Sequence, residues 1–281
     1  MSTEIYYFSG TGNSLHVARE LQKRIINSKL IPIVSLLKQE IIEVQGETLG
    51  FVFPIHGMTV PTPVKLFLKK LELKSVNYIF AIATRGGTKC FAFNKINQIL
   101  KRNRKCLDST FILTMINNDP KFEVYEIPTS ESISKVELKI QTLLDSISRI
   151  IINKEKYQEK DSDYIDFPFI KPVNYLLERL VLLGMFWADV THTNNYFYVD
   201  SKCTGCGICE KICLSQKIKM INKKLVWQEN VKCYLCYTCL NYCPEQAVQI
   251  KSKIYMKSYT DKNGIYPHPF ATIKDIAGQK H

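Results

Sequence analysis

Eight of the ten cysteines lie between Cys203 and Cys243, in the runs CTGCGICEKIC and CYLCYTCLNYCP. Both runs have the spacing C-x2-C-x2-C-x3-C. Three thiolates separated by two residues each can wrap one face of a cubane iron–sulfur cluster, and the fourth ligand must then come from elsewhere. The competing chemistry is structural zinc held by four cysteines, but such sites are usually built from two separated C-x2-C pairs. Adding 30 to Cys203, Cys206, Cys209 and Cys213 gives Cys233, Cys236, Cys239 and Cys243, and Ile218 and Met220 map onto Val248 and Ile250. Two copies of one unit predict a pseudo-twofold domain. In a reducing cytoplasm such a cluster of thiols binds metal more readily than it forms disulfides.

Residues from about 196 to 250 resemble the bacterial-type 2[4Fe–4S] ferredoxins. The resemblance implies that the fourth cysteine of each run serves the other cluster. Cluster I then takes Cys203, Cys206, Cys209 and Cys243, and cluster II takes Cys233, Cys236, Cys239 and Cys213. It also implies one-electron transfer at low potential. Pro244 follows Cys243 as in that family, whereas Leu214 follows Cys213. Gly205 and Gly207 keep the first loop small. Tyr234, Leu235, Tyr237 and Thr238 occupy the second, so the two clusters are expected to differ in solvation and potential.

A second chemical signal lies near the start of the sequence, where Ser9-Gly10-Thr11-Gly12-Asn13-Ser14 follows an apolar run and opens a helical pattern. Glycines and small hydroxyl residues at a helix N-terminus can surround an anion with N–H and O–H donors. A nucleotide P-loop needs the lysine of GxxxxGK[ST], which is missing. A dinucleotide loop needs GxGxxG, but Leu15 holds the third glycine position, and no acid closes the second strand at Val34-Ser35. A monophosphate remains, which points to FMN.

The stretch YYFSGTGNS is similar to the phosphate loop of the flavodoxin family, with Ser9, Thr11, Gly12 and Ser14 matching its motif. The resemblance spans about residues 1–153 and implies two further flavin loops. In the first, Pro54, Ile55, His56, Gly57 and Met58 would flank the ring. There Gly57 could turn its carbonyl toward N5–H of the reduced flavin, and His56 or Met58 could contact the ring. In the second, Thr84, Arg85, Gly86 and Gly87 would meet the pyrimidine edge through backbone donors, with Arg85 placing positive charge near N1. Asn117 and Asn118 could touch the flavin edge.

These loops need strands to position them. Strand-like runs at 5–8, 31–34, 49–53, 78–83 and 111–116 alternate with helical patterns at 13–26, 61–70 and 91–100, and a long amphipathic pattern follows at 130–152. This predicts an α/β, doubly wound, five-stranded parallel sheet, followed by the small α+β pseudo-twofold ferredoxin domain. The expected organisation is a flavodoxin-like FMN-binding domain (1–153), a linker and apolar helix (154–193), the 2[4Fe–4S] domain (194–251) and a basic tail (252–281). The apolar pattern from Pro172 to Ala188 is expected to be buried between the domains and to set their geometry.

The chain of 281 residues carries 38 basic and 26 acidic residues, for a formal charge of +12. Two oxidised clusters and an FMN phosphate would reduce this to roughly +6. Around the clusters, Lys202, Lys211, Lys217, Lys219, Lys223, Lys224, Lys232 and Lys251 face only Asp200, Glu210, Glu229 and Glu245. Such a basic surface suits an acidic redox partner, a ferredoxin or oxidoreductase. No nucleic-acid-binding motif is present. No apolar run is long enough to span a bilayer and no signal-peptide pattern opens the chain, so a cytoplasmic location is expected. The expected function is electron transfer between FMN and two [4Fe–4S] clusters for partner proteins. The alternative is a flavin-dependent reductase of a small molecule, fed through the clusters, with residues 117–130 as a lid.

Overall fold

A computed structural model of the protein describes residues 2–118, 128–162, 171–191, 196–250 and 265–281. The first half alternates strand and helix: β1 (Thr3–Tyr7), α1 (Asn13–Arg24), β2 (Ser28–Pro32), α2 (Ile33–Leu36), β3 (Ile42–Glu43), β4 (Thr48–Pro54), α3 (Thr62–Leu68), β5 (Leu71–Glu72), β6 (Tyr78–Arg85), α4 (Ala92–Leu100), β7 (Ser109–Thr114), α5 (Ser130–Ile152) and β8 (Tyr157–Gln158). The main sheet has the order β2-β1-β4-β6-β7-β8. All of its pairings are parallel.

Parallel strands covered on both faces read as continuous apolar runs. Here Ile5, Phe8, Leu49, Phe51, Phe53, Phe80 and Phe111 are almost wholly buried. Each such side chain contributes about 1.5–3 kcal/mol. Helix α1 lays Leu15, Val17, Ala18 and Leu21 into this core. The order reverses between β1 and β4, which opens a crevice at the carboxyl ends of those strands. The loops after β1, β4 and β6 all lie at that end.

Two details differ from the sequence pattern. Strand β2 starts earlier, at Ser28, and Ile33 and Val34 belong to α2. The polar stretch 154–163, read as a linker, adds β8 as a sixth strand beside β7, pairing Ser109 with Tyr157. Local polarity hid this strand, because it is short, lies at the sheet edge and pairs on one side only.

That stretch also supplies Asp161, whose carboxylate accepts from Arg85 Nη1 at 2.5 Å and from the Cys90 amide at 2.8 Å. The Arg85 side chain is only 2% exposed. It also donates to the Thr88 carbonyl and to Thr114 Oγ1. The charge expected near a flavin N1 is therefore turned inward and neutralised.

Helix α6 (Lys171–Thr191) follows. Its Glu178 is buried and pairs with Lys89. Tyr175, Leu176, Leu180, Leu183, Phe186 and Trp187 are nevertheless more than half exposed, contrary to the expected burial between domains.

The cysteine-rich unit contains β9 (Phe197–Val199), α7 (Ile208–Ile212), β10 (Ile218–Ile221), β11 (Lys224–Trp227), α8 (Thr238–Asn241) and β12 (Val248–Ile250). Strand β9 pairs antiparallel with β12, and β10 with β11. Asn222 and Lys223 join β10 to β11, both with positive φ, as a two-residue hairpin turn requires.

Residues 265–281, part of the expected tail, are folded. Helix α9 (Ile273–Gly278) starts with a Thr272–Asp275 capping box. Ile276 of this helix and Ala271 just before it belong to the same apolar core as the main sheet, together with Ile212, Leu214 and Tyr242 from the cysteine-rich unit. One continuous core thus joins all three parts.

Replacing Asp161 by Ala leaves Arg85 buried without its counter-charge. Loss of a buried partner costs about 3–5 kcal/mol. A clear fall in the thermal midpoint is the expected result, and an unchanged midpoint would show that the pair does not stabilise the sheet edge.

Candidate cluster and phosphate-loop sites

The backbone around the eight cysteines follows the repeat. Gly205 and Gly207 have φ of 71° and 77°; thirty residues later Leu235 and Tyr237 have 51° and 54°. Gln216 and Gln246 repeat the same left-handed turn. The second copy therefore holds, without glycine, a conformation that costs roughly 1–2 kcal/mol per non-glycine residue.

This geometry gathers the cysteines in crossed sets. One cavity, of about 370 Å³, is lined by Cys203, Cys206, Cys209 and Cys243. A second, of about 330 Å³, is lined by Cys213, Cys233, Cys236 and Cys239. Each lining contains the four cysteines that the resemblance would assign to one cluster. Among the described residues, no three of the sulfurs lie within 4.8 Å of one another. A single tetrahedral zinc, with Zn–S near 2.3 Å, would draw its thiolates closer than that. The C-x2-C-x2-C-x3-C spacing of each run suits a cubane cluster.

Amide donors point at the sulfurs, from Leu235 to Cys233 at 3.4 Å and from Ala247 to Cys243 at 3.3 Å. Burial pushes the Cys209 and Cys233 thiols up to about 12 and Cys236 up to about 11. Thiolate ligation must overcome that burial, so cluster assembly releases protons.

The two sites differ in exposure. Cys206 is exposed, whereas Cys213 and Cys239 are buried. Lys217 was expected among the surface lysines but is 2% exposed and lines the second cavity. Its Nζ donates to the carbonyls of Gln228 and Val231 at 2.7 and 2.6 Å. The repeat carried a signal for this: the position equivalent to Lys217 is Ala247, a small buried residue.

The phosphate loop follows β1 as expected and leads directly into α1. Gly12 caps that helix at φ 109°, with no side-chain cap and no acid in the first turn. Ser14 Oγ bonds Thr84 Oγ1 at 2.8 Å, which ties the loop to the end of β6. After β4, His56 and Thr59 pair across Gly57 and Met58, both left-handed, in a tight turn. Ile55 N–H donates to the Thr84 carbonyl at 2.8 Å. Asn117 packs over Gly86, where a Cβ would come within 2.6 Å of its Oδ1. The loops expected around a flavin therefore converge on one crevice. Asn13 Nδ2 reaches the Ile116 carbonyl, while its buried Oδ1 has no partner.

The donor types of this loop suit a phosphate, but in this conformation protein occupies the space. A Cβ on Gly10 would meet the Cys236 carbonyl oxygen at 2.3 Å, and one on Gly12 would meet the Cβ atoms of His268 and Ala271 at 2.6 Å. Ser9 N–H donates to Gln279 Oε1 at 3.0 Å, and Gln279 Nε2 donates to the Ser9 carbonyl at 2.8 Å. Thr238 Oγ1 donates to the Gly10 carbonyl at 2.8 Å, and His268 N–H to the Thr11 carbonyl at 2.8 Å. Asn118 Nδ2 donates to Thr11 Oγ1. In this conformation residues 265–281 are seated against the loop, on its glycines and backbone carbonyls. Sequence reasoning missed this cover because its partners are some 270 positions apart.

Residues 202–248 match the 4Fe-4S dicluster domain family. No curated protein matches the chain. Among solved structures, the two-electron reduced flavodoxin of Megasphaera elsdenii is 17% identical, with a TM-score of 0.30, over 39% of this chain and 84% of that one. A flavodoxin from the domain Archaea is 11% identical, with a TM-score of 0.30, over 53% and 99%. Rubredoxin oxygen:oxidoreductase from the anaerobe Desulfovibrio gigas is 13% identical, with a TM-score of 0.33, over 54% and 36%. Strand order and the match at residues 202–248 give the class: a doubly wound α/β domain followed by a 4Fe-4S dicluster domain.

A buried cation beside a cluster favours its more negative, reduced form. Replacing Lys217 by Met is expected to lower the reduction potential of cluster II and leave that of cluster I in place. Anaerobic redox titration followed by electron paramagnetic resonance reads both, and two unchanged potentials would refute the effect.

Proposed function

We propose that this protein is a two-cluster electron-transfer module, in which cluster I exchanges electrons with a partner redox protein and cluster II faces the flavodoxin-like domain. The observation that carries it is the crossed grouping of the eight cysteines, with the exposed Cys206 in one set and Cys236 of the other packed on Gly10. Clusters pass single electrons, and one chain holding both keeps them at high effective concentration. Lysines 202, 211, 219, 223 and 224 of this unit are exposed and suit an acidic partner such as a ferredoxin or oxidoreductase.

FMN belongs to this reading as the group of the flavodoxin-like domain. Ser9, Thr11, Gly12, Asn13 and Ser14 would hold its phosphate, the loops at residues 54–58 and 84–87 would border its ring, and bound FMN would supply a carrier of one or two electrons. Occupancy requires residues 265–281 to leave the loop. The buried Gln279 side chain, bonded to both polar groups of the Ser9 backbone, and the Arg19–Asp275 ion pair are polar tethers holding them there.

Two measurements test these statements. The double variant Lys202→Glu/Lys211→Glu should slow cluster reduction by a reduced acidic ferredoxin several-fold at low salt, with the difference shrinking as salt rises. Equal rates would remove the acidic partner from the reading. FMN uptake, measured by ultrafiltration of the anaerobically purified protein, should be weak in the native chain and stronger in Gln279→Ala. Uptake by neither would show that the flavodoxin-like domain holds no FMN.

A further inference from the structure

Beside the phosphate loop, three residues from distant parts of the chain converge. His16 lies on α1, Glu137 on α5 and His268 on the segment that covers the loop. His16 Nε2 is 2.9 and 3.0 Å from the two carboxylate oxygens of Glu137. One ligand atom from each of the three residues falls within 4.8 Å of the others. The imidazole rings of His16 and His268 lie 4.4 Å apart, nearly parallel. Both histidines are 5% exposed.

We propose that His16, Glu137 and His268 bind one first-row divalent metal ion, with Zn2+ as its probe, and that this ion fastens the C-terminal segment to the flavodoxin-like domain. The inference does not depend on FMN or on the partner of the clusters.

Two imidazoles and one carboxylate form a borderline donor set that suits such an ion, with bonds of about 2.0–2.2 Å. Two ligands of a tetrahedral zinc with such bonds stand about 3.3 Å apart. The His16–Glu137 separation of 2.9 Å needs to open by only a few tenths of an ångström. The Phe270 amide reaches His268 Nδ1 at 3.4 Å, a long contact that ligation replaces. The carboxylate is already oriented. Gln141 Nε2 donates to Glu137 Oε1 at 2.5 Å, and Arg24 in turn donates to Gln141 Oε1 at 2.7 Å. Metal sites are built with such outer supports, which fix the direction of a ligating carboxylate.

A cavity of about 260 Å³ adjoins the site and is lined by Glu137, His268, Tyr266 and Phe270 among others.

The test uses the full chain with its clusters assembled anaerobically. The protein is equilibrated with one equivalent of Zn2+ and passed through a desalting column, and iron and zinc are then counted by mass spectrometry. The expected result is one retained zinc per chain above the full iron content. Glu137→Gln and His268→Ala should keep the iron and lose the zinc. Hydrogen exchange across residues 266–279 should slow on zinc addition in the native chain and stay unchanged in Glu137→Gln. If His268→Ala loses iron through misfolding, the partly exposed Glu137→Gln carries the test alone. No retained zinc in the native chain, or equal zinc in native and Glu137→Gln, would reduce the three residues to a hydrogen-bonded group and overturn the proposal.

Discussion

The absence of a side chain at residue 10 lets the cysteine-rich unit dock on the crevice of the sheet. A Cβ there would sit 2.3 Å from the Cys236 carbonyl oxygen, so the second cysteine loop and the β1–α1 loop can touch only as bare backbones. Thr238 fills the joint. Its hydroxyl donates to the Gly10 carbonyl and lies 3.0 Å from Cys236 Sγ. One hydroxyl proton thus stands between a cluster ligand and the neighbouring loop, and a more negative sulfur competes better for it. An aromatic path runs alongside, with Phe8 edge-on to both His56 and Tyr234 at ring separations of 6.0 and 6.4 Å.

This joint also explains why the three parts share one core. Tyr242 sits just after α8, and its hydroxyl reaches the Ala271 carbonyl at 3.1 Å. Asn241 accepts from the Tyr266 amide and donates to the Asn118 carbonyl. The same short helix that presents Cys239 therefore ties the sheet to the C-terminal segment. In the other cysteine set Cys206 is exposed, so the unit runs from an accessible set of thiols to one enclosed by protein.

The sequence made some of this legible and hid the rest for physical reasons. Cysteine spacing and the 30-residue repeat marked the cysteine-rich unit, and the resemblance they carry implied the crossed grouping that lines its two cavities. Alternating apolar runs located the sheet, because buried parallel strands tolerate few other residues. Arg85 and Lys217 were misjudged because a charge seldom survives burial without a partner. Their partners, Asp161 in a polar stretch and the carbonyls of Gln228 and Val231, carry no local signature. The cover over the phosphate loop was hidden for the same reason: Gln279 imitates a backbone pairing with Ser9, which no motif announces. The His16–Glu137–His268 group also joins residues too far apart in the chain for spacing to reveal it.

The left-handed turns of the two cysteine loops carry a consequence for how the holoprotein is built. In the first loop, glycines adopt these turns at almost no cost before any iron is present. In the second, Leu235 and Tyr237 must be forced into them, and the force comes from ligation and from packing against the β1–α1 loop. The first site is thus prepared in advance, while the second is completed by its own contents and its neighbour.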